Sequence, residues 1–181
     1  MRIVVSGTHA SGKSTLIGDF SATHPEYEVL SDPYELLDEA GDEPDAGLFL
    51  AQLGSSARRL LEFEPGAKVI AERGPLDFLA YLTALDELGR ASRRGGHPPR
   101  AVDLTVAAMA HVDLLVVLPL GGDIRVPEDE DPELREAMDD ALLELSDDPD
   151  LLGGARVIEV TGDPNSRLAQ VESAIADLDG R

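Results

Sequence analysis

The chain has 181 residues, 43% of them hydrophobic, and 36 acidic against 15 basic side chains leave a formal net charge of −21. That charge repels nucleic acid and anionic membranes as bulk partners, and the lack of cysteine excludes disulfides, thiolate catalysis and Cys-ligated metals. No apolar stretch approaches the roughly 18 residues of a membrane-spanning helix, so one cytoplasmic domain over 1–181 is expected.

In chain order, residues 3–6 read as the first strand and 13–22 as the first helix. Between them Gly7, Gly12, Lys13 and Ser14 fit G-x-x-x-x-G-K-[ST], the phosphate-binding loop. Glycine admits φ > 0 and keeps Cβ atoms out of the path of a phosphate. The loop N–H groups then form an anion nest, and the helix adds the positive end of its dipole. On this reading Gly7, Ala10, Ser11, Gly12, Lys13, Ser14 and Thr15 bind the nucleotide phosphates. Lys13 reaches the β- and γ-phosphates, and the Ser14 hydroxyl ligates Mg²⁺. Of the 15 basic residues 13 are arginine, yet this position has the compact, thin-stemmed lysine.

Tyr27–Leu30 is a short strand candidate, left by the loop Ser31-Asp32-Pro33-Tyr34-Glu35. Residues 38–45 are acidic with Gly and Pro and read as an exposed connection. Leu48 to about Phe63 suits a helix, Pro65-Gly66 a turn, and Lys68–Ala71 a buried strand ending in Glu72-Arg73-Gly74. Pro75 opens a helix to about Leu88. Residues 90–100 form a loop, 101–110 a short helix and 112–118 an apolar strand. Residues 121–132 are polar and lid-like. An amphipathic helix covers 133–145, a strand 156–160, a turn 161–165 and a last helix 166–178. The strand–helix alternation implies an α/β fold: a five-stranded parallel sheet with helices on both faces, the three-layer arrangement of P-loop NTPases. Ligands then bind at the carboxyl ends of the strands.

Three strand-end segments carry the remaining candidates. Glu72 is placed to hold a Mg²⁺-bound water or to orient the nucleophile, and Arg73 to clamp a phosphate or fix a nearby carboxylate; a structural ion pair capping the next helix is the alternative. Asp32 is placed to accept the proton of an attacking hydroxyl, with Glu35 as the alternative base and ordinary loop chemistry as the plain one. Arg125, in the lid-like segment, is placed to neutralise charge on the transferring phosphoryl group, unless it pairs with its acidic neighbours; Arg135 follows on the next helix. Arg93 and Arg94 could bind an acceptor phosphate but suit a solvated loop better. The four histidines show no metal-ligand spacing.

Several segments occur in an order that resembles a known family: Gly-Thr-His-Ala-Ser-Gly-Lys-Ser-Thr-Leu at 7–16, Glu-Arg-Gly-Pro-Leu-Asp-Phe-Leu-Ala-Tyr at 72–81, Arg125 with Asp131-Pro132-Glu133-Leu134-Arg135, and Val160-Thr161-Gly162-Asp163 with Arg167. They resemble the small P-loop ATPase/kinase family that includes ribosylnicotinamide-kinase-like domains and, more distantly, the deoxynucleoside and thymidylate kinases. The resemblance implies ATP and Mg²⁺ as ligands and Glu72 with Arg73 organising metal and phosphates. It also implies Asp32 as base, Arg125 and Arg135 as lid arginines, and Thr161–Pro164, with Asp163, beside the adenine. The chain departs from the deoxynucleoside-kinase pattern in having Glu-Arg-Gly for Glu-Arg-Ser, few lid arginines, and only Tyr34, Phe49, Phe78 and Tyr81 as aromatics near the site.

The leading expectation is ATP-dependent phosphoryl transfer to a small-molecule hydroxyl or phosphate acceptor, nucleoside- or nucleotide-like. The alternative is a nucleotide-binding regulatory ATPase acting through a protein partner. A guanine switch is disfavoured, because no [NT]-K-x-D is present. Monomer and homodimer stay equally open.

Overall fold

Apolar residues alternate along the strands and send successive side chains into two separate cores. In this computed structural model, which describes residues 1–33, 45–90, 99–121 and 131–180, Ile3, Val5, Ile70, Leu114 and Val116 point to one side. There they meet Leu16, Ile17 and Phe20, with Val171 and Ala174. Val4, Val69, Ala71, Leu115 and Val117 point to the other side and meet Leu53, Leu79, Met109 and Met138.

The strands are β1 (Arg2–Ser6), β2 (Glu28–Leu30), β3 (Val69–Glu72), β4 (Leu114–Val117) and β5 (Arg156–Glu159). They form one parallel sheet in the order β2-β3-β1-β4-β5. The helices are α1 (Lys13–Thr23), α2 (Ala46–Leu61), α3 (Pro75–Glu87), α4 (Pro99–Met109), α5 (Pro132–Ser146), α6 (Pro149–Leu152) and α7 (Pro164–Asp179). α1 and α7 supply one core, and α2 to α6 the other. The expected five-stranded parallel sheet with helices on both faces is therefore present.

Strict strand–helix alternation is too simple. Two helices, α3 and α4, lie between β3 and β4, and α6 follows α5 before β5. The short α6 escapes an apolar-period reading because it is one turn long. It starts at an Asp148 cap with Pro149, ends at Gly153 with φ 60, and buries Leu151 and Leu152. α4 begins at Pro99, earlier than expected, since proline tolerates the first helical turn.

Because all five strands run the same way, their carboxyl ends line one edge. The loop after β1, Asp32 after β2, Glu72-Arg73 at the end of β3, Leu118–Gly121 after β4 and Thr161–Asp163 after β5 all emerge there. Much of the acidity starts helices. Asp45, Asp131, Asp148 and Asp163 each accept a backbone N–H at the N-terminus of α2, α5, α6 and α7, where a carboxylate also complements the dipole.

Candidate active site

The loop between β1 and α1 has the backbone that its glycines require. Gly7 has φ 151, and a Cβ there would lie 2.7 Å from Ser11 Oγ and 2.8 Å from the Leu118 carbonyl. Gly12 has φ 95 and is the N-cap of α1, with no side chain capping that helix. Ala10, with φ 53, is a non-glycine held in the left-handed region, as happens where surrounding structure over-determines the backbone. Ser14 and Thr15 are exposed at the mouth of the loop.

The loop carbonyls are met by cations. Arg73 Nη1 donates to Gly7 O at 3.1 Å, and Lys13 Nζ donates to Thr8 O at 2.7 Å. Arg135 Nε donates to His9 O at 3.1 Å, and Arg167 Nη1 to Ser11 O at 2.9 Å. Lys13 is buried, and burial, aided by Arg73 and opposed by Asp77, Glu72 and Asp32, lowers its pKa to about 7.

Ser14 Oγ donates to Glu72 Oε1 at 2.8 Å, which brings together the two expected metal ligands. Among the described residues no cluster of three or more His, Cys, Asp or Glu is placed to hold a metal. A hydroxyl and one carboxylate nonetheless suit Mg²⁺, a hard cation that keeps waters and completes its shell with substrate phosphates.

Of the two roles open to Arg73, the structure gives it a carboxylate. Its Nε donates to Asp32 Oδ2 at 2.7 Å, and both side chains are largely buried. Its backbone has φ 62. Nη1 also lies 3.5 Å from Tyr81 OH, and the guanidinium carbon lies 5.4 Å from the centroid of that ring. Burial works against the charge, but Tyr81, Asp32 and Asp77 outweigh it and hold the pKa above the ordinary arginine value.

Asp77 is a site residue that sequence reasoning missed. It is fully buried and accepts from Ser6 Oγ at 2.5 Å, Gly7 N at 3.0 Å and Gly74 N at 2.9 Å, with Arg73 Nη1 4.0 Å away. Burial pushes its carboxyl up, opposed by Arg73 and these donors. The available signal was a proline in the first turn followed by an acid at the third position, a helix-start pattern. The second omission is Gln52 on α2. It is fully buried, and among the described residues neither amide atom has a partner. Gln52 lies three residues after Phe49, on the same helix face. The Phe49 ring stacks on Tyr81 with centroids 4.4 Å apart and planes 8° apart. A glutamine within the apolar stripe of Phe49, Leu53 and Leu60 was the sequence signal.

Other expectations are redirected. Asp163 is the N-cap of α7: its carboxylate accepts from Ser166 N at 2.9 Å and Ser166 Oγ at 3.0 Å, so its direct work is to start the helix that carries Arg167. Phe78 is buried in the core cluster. Tyr34, Glu35, Arg93, Arg94, His97 and Arg125, with most of the lid-like segment, lie outside the described residues.

No family model and no curated protein matches the chain. Solved structures do match along nearly its whole length. Deoxyadenosine kinase from M. mycoides with bound dATP is 14% identical with a TM-score of 0.69, covering 97% of this chain and 99% of that one. Thymidylate kinase from Candida albicans is 17% identical with a TM-score of 0.62, covering 97% and 91%. Thymidylate kinase from Ehrlichia chaffeensis is 15% identical with a TM-score of 0.62, covering 97% and 98%. The fold is that of the P-loop nucleoside and nucleotide kinases. The likeness to ribosylnicotinamide-kinase-like domains rests on the sequence motifs alone.

Asp77→Asn turns an amide nitrogen towards backbone N–H donors and leaves Arg73 short of a carboxylate. It is expected to lower unfolding free energy by about 3 kcal/mol in urea titration, against about 1 kcal/mol for Ser6→Ala, which removes one hydroxyl donor.

Proposed function

We propose that this protein transfers the γ-phosphoryl group of ATP to a nucleoside-like acceptor. The observation that carries this reading is the double contact of Arg73. Through Gly7 O it holds the phosphate loop, and through Asp32 and Tyr81 it reaches a second region that a simple nucleotide switch does not need. The nucleoside and nucleotide kinases among the matching structures support an acceptor of that class.

The roles follow from position. The loop N–H groups and Lys13 bind the β- and γ-phosphates, and Ser14 with Glu72 holds Mg²⁺. Bound Mg²⁺ supplies neutralisation of charge on those phosphates. Asp32, oriented by Arg73, accepts the proton as the acceptor oxygen bonds to the γ-phosphorus and the bond to the β–γ bridging oxygen breaks, releasing ADP. The stacked Phe49–Tyr81 pair and the unpartnered Gln52 amide form the acceptor side. A buried amide recognises a base through one donor and one acceptor, as in the bidentate pairing of Gln with adenine.

The test is ADP release from MgATP with and without a panel of nucleosides and nucleoside monophosphates, with Lys13→Ala as the blank. Release that rises with one acceptor, disappears in the blank and falls about a hundredfold or more in Asp32→Asn at unchanged ATP affinity supports the reading. Slow release that ignores every acceptor points instead to a regulatory ATPase.

Gln52→Leu is expected to raise the acceptor KM about tenfold or more while leaving the KM for ATP in place, because it removes the polar contact without changing the donor loop. An unchanged acceptor KM would remove Gln52 from the acceptor side.

Lys13 also makes nucleotide binding depend on pH. Its folded pKa of about 7 lies below the ordinary 10.5. Between those values the unfolded chain binds the extra proton, so the cost of burying Lys13 in the empty protein shrinks as pH rises through that window. Nucleotide phosphates restore the charge. At pH 8 binding of MgATP is therefore expected to take up close to one proton, read by calorimetry in buffers of different ionisation enthalpy. Affinity should fall as pH rises above about 7.

A further inference from the structure

Arg167 sits early in α7, where its backbone N–H donates to Asp163 O at 3.0 Å. A cation near the start of a helix stands at the positive end of the dipole and gains nothing from it. Its side chain instead crosses to a loop 156 positions away in sequence, where Nη1 donates to Ser11 O at 2.9 Å. The approach is close: a Cβ on Gly12 would lie 2.8 Å from that Nη1. Arg167 Nε is buried without an acceptor.

The Ser11 carbonyl and the Gly12 N–H belong to one rigid peptide unit. A charged donor on the carbonyl fixes the direction of the N–H and polarises it as a donor. Gly12 begins α1, whose N-terminus has neither a side-chain cap nor an acidic residue in its first turn. α2, α5, α6 and α7 all have aspartate caps. The N–H groups opposite Arg167 are thus kept clear of protein carboxylates and aimed by a cation behind them. Arg73 does the same for the Gly7–Thr8 peptide, but it also reaches the acceptor side. Arg167 contacts the donor loop alone among the groups described above.

We propose that Arg167 is a positioning residue for the nucleotide donor. From α7 it orients and polarises the Ser11–Gly12 peptide, so that the loop binds a polyphosphate before any acceptor arrives. This rests on the kinase reading above for the identity of the ligand.

The experiment titrates the full chain with MgADP, without acceptor, by calorimetry, and then measures steady-state constants with ATP and the acceptor found above. Arg167→Gln is expected to weaken MgADP about tenfold, with acceptor KM and melting temperature near those of the unaltered chain. Arg167→Lys, which keeps the charge, should recover most of the loss. In the unaltered chain the Gly12 N–H and Arg167 Nε–H resonances should both shift on adding MgADP, a readout that needs no variant to fold. A folded Arg167→Gln with unchanged MgADP affinity overturns the proposal. So does a parallel rise in acceptor KM that lysine does not restore, or the absence of both resonance shifts. If the unaltered chain binds no MgADP at all, the nucleotide reading itself falls, whatever Arg167 does.

Discussion

Arg73 is buried, with its backbone at φ 62, and its charge is shared among Asp32, the Gly7 carbonyl, Tyr81 and, at 4.0 Å, Asp77. A buried guanidinium is tolerated only when such partners replace water, and removal of one leaves an uncompensated charge. The left-handed residue also turns the chain sharply at the end of β3. α3 therefore starts two residues later, and Asp77 returns to the N–H groups of Gly7 and Gly74. Strand end, phosphate loop and helix start are locked by one ion-pair cluster. Backbone strain of about 1–3 kcal/mol is the typical cost of such a conformation. It persists here because every neighbouring group depends on it.

The same cluster resolves an apparent conflict in composition. A chain with net charge −21 is a poor anion receptor on average. The structure separates the two signs. Aspartates are used as helix caps at α2, α5, α6 and α7, while Lys13, Arg73, Arg135 and Arg167 converge on the carbonyls of a single loop. Those carbonyls would otherwise present negative partial charge at the proposed phosphate site. With cations on them, the N–H ends of the same peptides dominate the local field.

What could be read from the sequence was what is local. The apolar strands alternate with period two, and the phosphate loop is contiguous, so the sheet, the order of the layers and the Ser14–Glu72 meeting point followed from short-range pattern. Asp77 and Gln52 were not legible in the same way, and Arg167, though part of the motif resemblance, had no role that the sequence assigned. Asp77 meets Gly7 across 70 residues, and Arg167 meets Ser11 across 156. Gln52 stands out only because the fold buries it completely, which periodicity cannot show. Asp163 shows a second local role: a motif resemblance puts it near the nucleotide, and its carboxylate also caps α7 through Ser166. α6 was missed because one turn, anchored by Leu151 and Leu152, carries no measurable period.

Donor and acceptor recognition differ in how they depend on side chains. The proposed donor site is mostly peptide chemistry, set by the backbone of the loop between β1 and α1. The acceptor side depends on a few side chains between α2 and α3. Gln52 is a buried polar side chain of that set, and among the described residues no group fixes which way its amide faces. A flip of the amide exchanges its donor and acceptor, a choice that in most sites is made by the hydrogen-bond network. The aromatic pair of Phe49 and Tyr81 offers an apolar wall, and stacking on such a wall does not distinguish one base from another. Under the proposed function, one amide and an apolar wall would accept a planar base with adjacent donor and acceptor atoms and leave the choice among such bases to shape.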